Sequence, residues 1–213
     1  MIILGLTGSI GMGKSTAATM LQTMGLRICD SDAIVHKLLG MGGGAVKAIG
    51  AEFSNAVLNG AVDRQALGQA VFSDPDALKR LEAILHPMVQ ATQADFLKHA
   101  ALNGVQIAVL DVPLLFEVET DQRCDAVMVV TAPRFLQEQR VLRRPGMTRE
   151  RLRATLARQM PDAEKRRRAD FIVHTGLGKG HTYGRLREIV AQVRDKRGSK
   201  WPPAGPSSWG AHA

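Results

Sequence analysis

Eight residues near the start of the chain, Gly8-Ser9-Ile10-Gly11-Met12-Gly13-Lys14-Ser15, match the pattern G-x-x-x-x-G-K-[ST]. In a nucleotide-binding loop of this pattern the glycines let the backbone turn tightly and aim successive N–H groups inward. Phosphate oxygens then meet those donors and the positive end of the next helix. Lys14 is placed to reach β- and γ-phosphates, and the Ser15 hydroxyl to ligate Mg²⁺. The bland alternative is a glycine-rich turn that binds nothing. The context favours phosphate: the apolar run Ile2 to Leu6 reads as a covered parallel strand, and Ala17, Met20, Leu21 and Met24 carry helical spacing behind the loop.

Carboxylates recur at two later strand ends. Leu26-Arg27-Ile28-Cys29 reads as a second strand running into Asp30-Ser31-Asp32, and Val105 to Val112 as a third that delivers Asp111. In open α/β sheets ligands gather at the carboxyl ends of the strands, so these acids are expected on the same edge as the glycine loop. Asp30 or Ser31 is expected to cap the helix from Ala33 to Leu39, leaving Asp32 as the acid or base of the chemistry. Asp111 is placed as a direct or indirect Mg²⁺ carboxylate would be, with a turn-initiating Asp before Pro113 as the alternative. Arg140 and Arg144 are four apart, which predicts a shared helix face where like charges need an anion to neutralise them, so Arg140 is expected to contact phosphate. Arg166 to Arg168 read as a solvated charged face.

The elements that must position these groups alternate in type. Ala126 to Thr131 and Asp170 to His174 complete five short strands. Helices are expected over Ala45 to Phe53, Ala66 to Phe72, Pro75 to about Leu102, Arg134 to Leu142 and Thr148 to Gln159, with Thr148 as an N-cap and a last helix carrying Leu186, Ile189, Val190 and Val193 inward. This predicts an α/β fold: a doubly wound five-stranded parallel sheet with helices on both faces, a helical acceptor-binding insertion at about 60–103 and an arginine-bearing helical lid at about 134–169, all in one domain over 1–197. Asn59-Gly60 marks a turn. His86-Pro87 falls within the apolar stripe Leu78, Leu81, Leu85, Met88, Val89 and Phe96, where the proline should kink the helix and His86 is either a core histidine or a substrate contact. The stretch 198–213, rich in Gly, Pro and Ser, is expected to be disordered.

Composition bounds the rest. The chain has 213 residues and a net charge of +8, with 45% hydrophobic and 4% aromatic side chains. Basicity is concentrated in the C-terminal part, since residues 1–133 hold 9 basic and 13 acidic side chains and the remainder 19 and 7. No aromatic residue falls between Phe135 and Phe171, so the stacking groups of single-strand binders are lacking there. Nucleic acid is therefore not expected as a partner. No apolar run is long enough to span a bilayer, and the loop begins too early for a signal peptide ahead of it, which points to the cytoplasm. Cys29 and Cys124 have no metal-ligand spacing and are expected to be reduced.

The residues Gly5 to Thr16, Asp30-Ser31-Asp32, His86-Pro87, Asp111-Val112-Pro113-Leu114-Leu115-Phe116-Glu117, Gln139-Arg140, Arg144, Thr148-Arg149-Glu150, Gln159 and Ala169-Asp170 resemble those of the bacterial dephospho-CoA kinases, over Met1 to about Val193. The resemblance implies a kinase that uses ATP with Mg²⁺ to phosphorylate the ribose 3′-hydroxyl of dephospho-coenzyme A, the last step of coenzyme A synthesis. ATP contacts are then expected at Gly8, Gly11, Met12, Gly13, Lys14, Ser15 and Thr16. Acceptor contacts are expected at Asp32, His86, Asp111 and Leu115, metal contacts at Ser15 and Asp111, and catalysis by Asp32, Lys14 and Arg140. The partners are the two small molecules, with a monomer or weak homo-oligomer as the expected state. The chain departs from the family's Asn-rich turn after the fifth strand, where it has His174-Thr175-Gly176, leaving backbone contacts to the base. The alternatives are a kinase of the same fold acting on a nucleoside monophosphate or small metabolite, and a nucleotide-switched protein whose basic part binds nucleic acid.

Overall fold

The computed structural model describes residues 1–72 and 74–203, with Phe72 placed by its backbone. Chain order is β1 (Ile2–Thr7), α1 (Lys14–Thr23), β2 (Arg27–Asp30), α2 (Ser31–Leu39), α3 (Val46–Glu52), β3 (Val57–Leu58), β4 (Ala61–Val62), α4 (Arg64–Phe72), α5 (Pro75–Leu102), β5 (Ile107–Asp111), β6 (Ala126–Thr131), α6 (Arg134–Leu142), α7 (Arg149–Ala157), α8 (Asp162–Arg168), β7 (Phe171–His174) and α9 (Lys179–Arg194). The chain divides into two compact units, residues 30–98 forming the second and the other described residues the first.

In the first unit five strands form one sheet in the order β2-β5-β1-β6-β7. β1 pairs in parallel with β5 and β6, and β6 with β7. The central strands β1, β5 and β6 are buried at every residue, which is why they read as unbroken apolar runs, not as alternation. Ile2, Leu4 and Leu6 of β1 join Val109, Met128, Val130 and Val173 in a core sealed by Ala17 and Leu21 of α1 and Leu186, Ile189, Val190 and Val193 of α9. β1 therefore ends at the middle of the sheet, and the chain beyond Thr7 emerges between β5 and β6 at their carboxyl ends.

The second unit has its own core of Leu39, Ala45, Ile49, Ala56, Val62, Leu67, Val71, Ala77 and Leu81. It begins at Asp30, well before the expected start near residue 60, because α2 and α3 already contribute to that core. The Asn59-Gly60 turn joins a two-stranded antiparallel hairpin, Val57↔Val62 and Leu58↔Ala61, with φ of 50° at Asn59 and 77° at Gly60, the signature of a two-residue hairpin loop. α5 runs unbroken through Pro87, where the sequence predicts a kink. Its inward face is also wider than the apolar stripe: Gln93 and Leu97 are buried, and Gln93 Nε2 donates to Ser31 Oγ at 2.9 Å.

Of the stretch expected to be disordered, residues 204–213 lie outside the described residues. Ser199 and Lys200, by contrast, are fastened: their backbone N–H groups donate to Asp125 Oδ1 at 2.5 and 3.0 Å. Asp125 Oδ2 accepts from Ile3 N at 2.8 Å.

Candidate active site

The loop after β1 carries the chemistry, and its shape depends on two glycines. A Cβ on Gly8 would lie 2.7 Å from the Val130 carbonyl oxygen of β6, so only glycine fits that approach. Gly13 has φ 91°, and a Cβ there would come within 2.9 Å of Thr175 Oγ1. Gly13 is also the N-cap of α1 and supplies no side-chain hydrogen bond to it. By contrast, Asp30 caps α2 and Thr148 caps α7 with their side chains. α1 thus begins with N–H donors that no capping side chain takes, which is the condition for binding an anion there.

Side chains from later elements hold this loop. Gln137 Nε2 donates to Ile10 O at 2.8 Å, and Ile10 N donates to Gln159 Oε1 at 3.1 Å. Ala132 N donates to Met12 Sδ at 3.1 Å, and Thr175 Oγ1 donates to Met12 O at 2.7 Å. Arg140 donates from Nη1 to Thr175 Oγ1 at 3.0 Å and to Gly11 O at 3.4 Å, and from Nη2 to Thr175 O at 2.9 Å. The guanidinium fork therefore ties the loop to the end of β7. Sequence alone marks Arg140 only as a phosphate contact, and the turn at Thr175 only as a base contact. Thr175 is buried and fastens the loop; His174 beside it is exposed.

Lys14 Nζ lies 2.6 Å from Asp111 Oδ1. The Asp111 side chain is 3% exposed and that of Lys14 14%, so this charge-assisted bond is shielded from water. Ser15 and Thr16 are exposed in the first turn of α1. Ser15 and Asp111 offer oxygen donors, the ligand chemistry Mg²⁺ takes. Among the described residues no group of three or more His, Cys, Asp or Glu side chains could hold a metal ion. One or two protein oxygens beside substrate phosphates are what a nucleotide-borne Mg²⁺ asks of a protein.

Two expectations change. Leu115, expected to meet the acceptor, is 0% exposed and belongs to the core, so its side chain has no surface to offer. α6 ends at Leu142 with Arg143 as C-cap, so Arg144 lies past the helix and shares no helix face with Arg140. Arg166, Arg167 and Arg168 of α8 are exposed, as expected of a charged face, while their neighbour Lys165 is 0% exposed and pairs with Glu117 at 2.9 Å. Arg168 bonds Asp121 at 2.8 Å and lies 4.6 Å from the Phe116 ring centroid.

In the second unit Asp30 Oδ1 accepts from the N–H groups of Asp32 at 2.9 Å and Ala33 at 3.2 Å. Asp30 is thus the helix cap, and Asp32 sits exposed in the first turn of α2. His86 is exposed on α5. Neither Cys29 nor Cys124 is in a disulfide. Burial pushes the Cys124 thiol up to about 12.

Known proteins with this arrangement are numerous. The sequence model of a family described as dephospho-CoA kinase matches residues 2–178. The chain is 57% identical over 206 residues to a dephospho-CoA kinase of Paramagnetospirillum magneticum, covering 97% of this chain and 95% of that one. It is 52% identical over 199 residues to that of Mesorhizobium japonicum, covering 93% and 100%. The solved structure of dephospho-CoA kinase from Campylobacter jejuni superimposes with a TM-score of 0.59 at 25% identity, covering 90% of this chain and 96% of that one. An uncapped phosphate loop at the centre of a parallel sheet, in a chain matched along nearly its whole length, leads to one assignment: the chain belongs to the dephospho-CoA kinase family.

Proposed function

We infer that the chain transfers the γ-phosphoryl group of ATP to the ribose 3′-hydroxyl of dephospho-coenzyme A, giving coenzyme A and ADP. The observation that carries this reading is the loop itself: Gly13 opening an α1 that no side chain caps, with Lys14 beside it, in a chain matched by the family over residues 2–178.

The roles derive from phosphoryl-transfer chemistry, which needs positioning and charge neutralisation more than covalent steps. Backbone N–H groups from Gly11 to Thr16 take the ATP phosphates. Lys14 exchanges Asp111 for β- and γ-phosphate oxygens and tracks the charge as it moves onto the leaving ADP. Asp32, free of the capping duty that Asp30 performs, orients the acceptor hydroxyl and accepts its proton. Arg140 holds the Gly11 carbonyl and Thr175, so the loop is set before substrate arrives, and its positive charge stabilises the transferring group. His86 of α5 is the further residue assigned to acceptor binding. Ser15 and Asp111 would hold Mg²⁺, which would supply further charge neutralisation at the phosphates.

The partners are then two small molecules, and the cytoplasm is the compartment the reaction needs. Among the described residues no helix is long and apolar enough to cross a membrane.

The test is ADP release by purified protein with ATP and Mg²⁺, given dephospho-CoA, AMP, CMP or UMP, or no acceptor. Turnover with dephospho-CoA alone is expected. Turnover on a monophosphate without turnover on dephospho-CoA would overturn the reading.

A further inference from the structure

A ring of bonds leaves the end of β1 just before the phosphate loop and returns to the loop itself at Ile10. Thr7 Oγ1, at the end of β1, donates to Pro113 O at 3.0 Å. The same carbonyl accepts from Lys165 Nζ at 3.3 Å, and Lys165 pairs with Glu117 Oε1 at 2.9 Å. Glu117 Oε1 also accepts from Met160 N at 2.7 Å. The neighbouring Gln159 takes the Ile10 N–H, which closes the ring on the loop two residues beyond Gly8.

The position of Gln159 depends on that ring. α7 ends at Ala157 and α8 starts at Asp162, so residues 158–161 are a connector. Gln159 N is used locally, on Leu156 O at 3.1 Å, and Pro161 has no N–H to give. The Met160 N–H is therefore the backbone donor that fixes this connector against the segment after β5. Glu117 receives it only while its carboxylate is held in place, and Lys165, 0% exposed, holds it. Burying an ammonium and a carboxylate together is poor value as stabilisation alone, since apolar residues of similar size often do as well. What the pair provides that an apolar pair would not is a fixed acceptor for Met160.

We propose that Glu117 and Lys165 are positioning residues for the phosphate loop, acting through Met160 and Gln159 on Ile10 and thereby setting the affinity for ATP. This rests on the reading that the loop binds ATP. Neither is among the residues assigned to substrate contact, so their removal is expected to act on the donor side of the reaction only.

The test uses the full chain and a fluorescent ATP, mant-ATP, in equilibrium titrations, with steady-state kinetics alongside. Gln159→Ala removes the acceptor for Ile10 N, and Glu117→Gln removes the charge that orders the connector. Gln159→Ala is expected to weaken mant-ATP binding about 5- to 10-fold, the size of one lost hydrogen bond, and Glu117→Gln by a similar factor, because the charge-assisted pairing with Lys165 that holds the Met160 acceptor is lost. kcat should stay within about twofold, and KM for dephospho-CoA should be unchanged. The double variant should be no weaker than the worse single, because both act on one path. Should Glu117→Gln fail to fold, Glu117→Asp keeps the charge opposite Lys165 but shortens the reach to Met160, and it should show the same loss. Wild-type affinity in Glu117→Gln or Glu117→Asp, or losses that multiply in the double variant, would overturn the proposal. Failure of the wild type to bind mant-ATP would instead strike the reading of the loop.

Discussion

Lys14 and Asp111, 97 positions apart in sequence, meet through a 2.6 Å bond at the point where β1 and β5 deliver their carboxyl ends side by side. The parallel register Leu6↔Asp111 puts the two strand ends level, and the tight turn of the loop brings Lys14 back over them. The ammonium proposed to grip phosphate is thus already held in a shielded position by a carboxylate.

Lys14→Met should therefore have two effects. Loss of the phosphate-gripping charge should lower kcat/KM about 10²- to 10³-fold in the ADP-release assay. The buried Asp111 carboxylate would also lose its countercharge, and urea unfolding should show a stability loss of about 1–3 kcal/mol. A Lys14→Met protein as stable as wild type would mean the ion pair contributes nothing to the fold.

Asp30 and Asp32 sit two residues apart and should separate cleanly. Asp30→Ala removes the cap of α2 and should lower stability by about 1 kcal/mol, with kcat retained. Asp32→Asn should abolish transfer while leaving mant-ATP binding unchanged. Equal loss of ATP affinity in Asp32→Asn would place that carboxylate on the nucleotide or the fold instead of the acceptor.

Arg140→Lys keeps the charge but cannot reproduce a planar fork serving Gly11 O, Thr175 Oγ1 and Thr175 O together. It should raise the KM for ATP about 5- to 10-fold, as should Thr175→Val, which removes the hydroxyl bonded to Met12 O. If Arg140→Lys matches wild type while Arg140→Met is inactive, charge alone is what this position supplies.

Much of the site is legible in the sequence because its signals are local. The bounds of β1, β6 and α6 can be read from the residues themselves, as β1 and β6 are short apolar runs ended by turn residues and α6 lies between Pro133 and the Arg144-Pro145-Gly146 break. The choice between Asp30 and Ser31 as cap stays open at that level, because both can accept from the first turn. The features that cannot be read depend on distant partners. Lys165 reads as one of four consecutive basic residues, and only Glu117, 48 positions earlier, makes it the buried one. The loop-holding roles of Arg140 and Thr175 likewise arise only when β7 is laid beside β6. The β3–β4 hairpin has a local signal, Asn59-Gly60 between apolar pairs, but two-residue strands are too short for alternation to show.

The Cys124 thiol gives a pH dependence with a definite sign. Burial raises it from its ordinary 9.0 to about 12, so the fold favours the protonated form. That contribution is fully present below about pH 9 and is lost as pH rises toward about 12, where ionisation opposes burial. Urea unfolding between pH 8 and 11 should show stability falling more steeply for wild type than for Cys124→Ala. Identical slopes would remove Cys124 from the alkaline transition.

The most direct measurement is ³¹P NMR of the product formed from ATP, Mg²⁺ and dephospho-CoA by the purified protein. A new phosphomonoester resonance coupled to the ribose H3′, growing in step with ADP, is the expected result. Inorganic phosphate released with dephospho-CoA left intact, or a phosphate at any other position, would contradict the assignment.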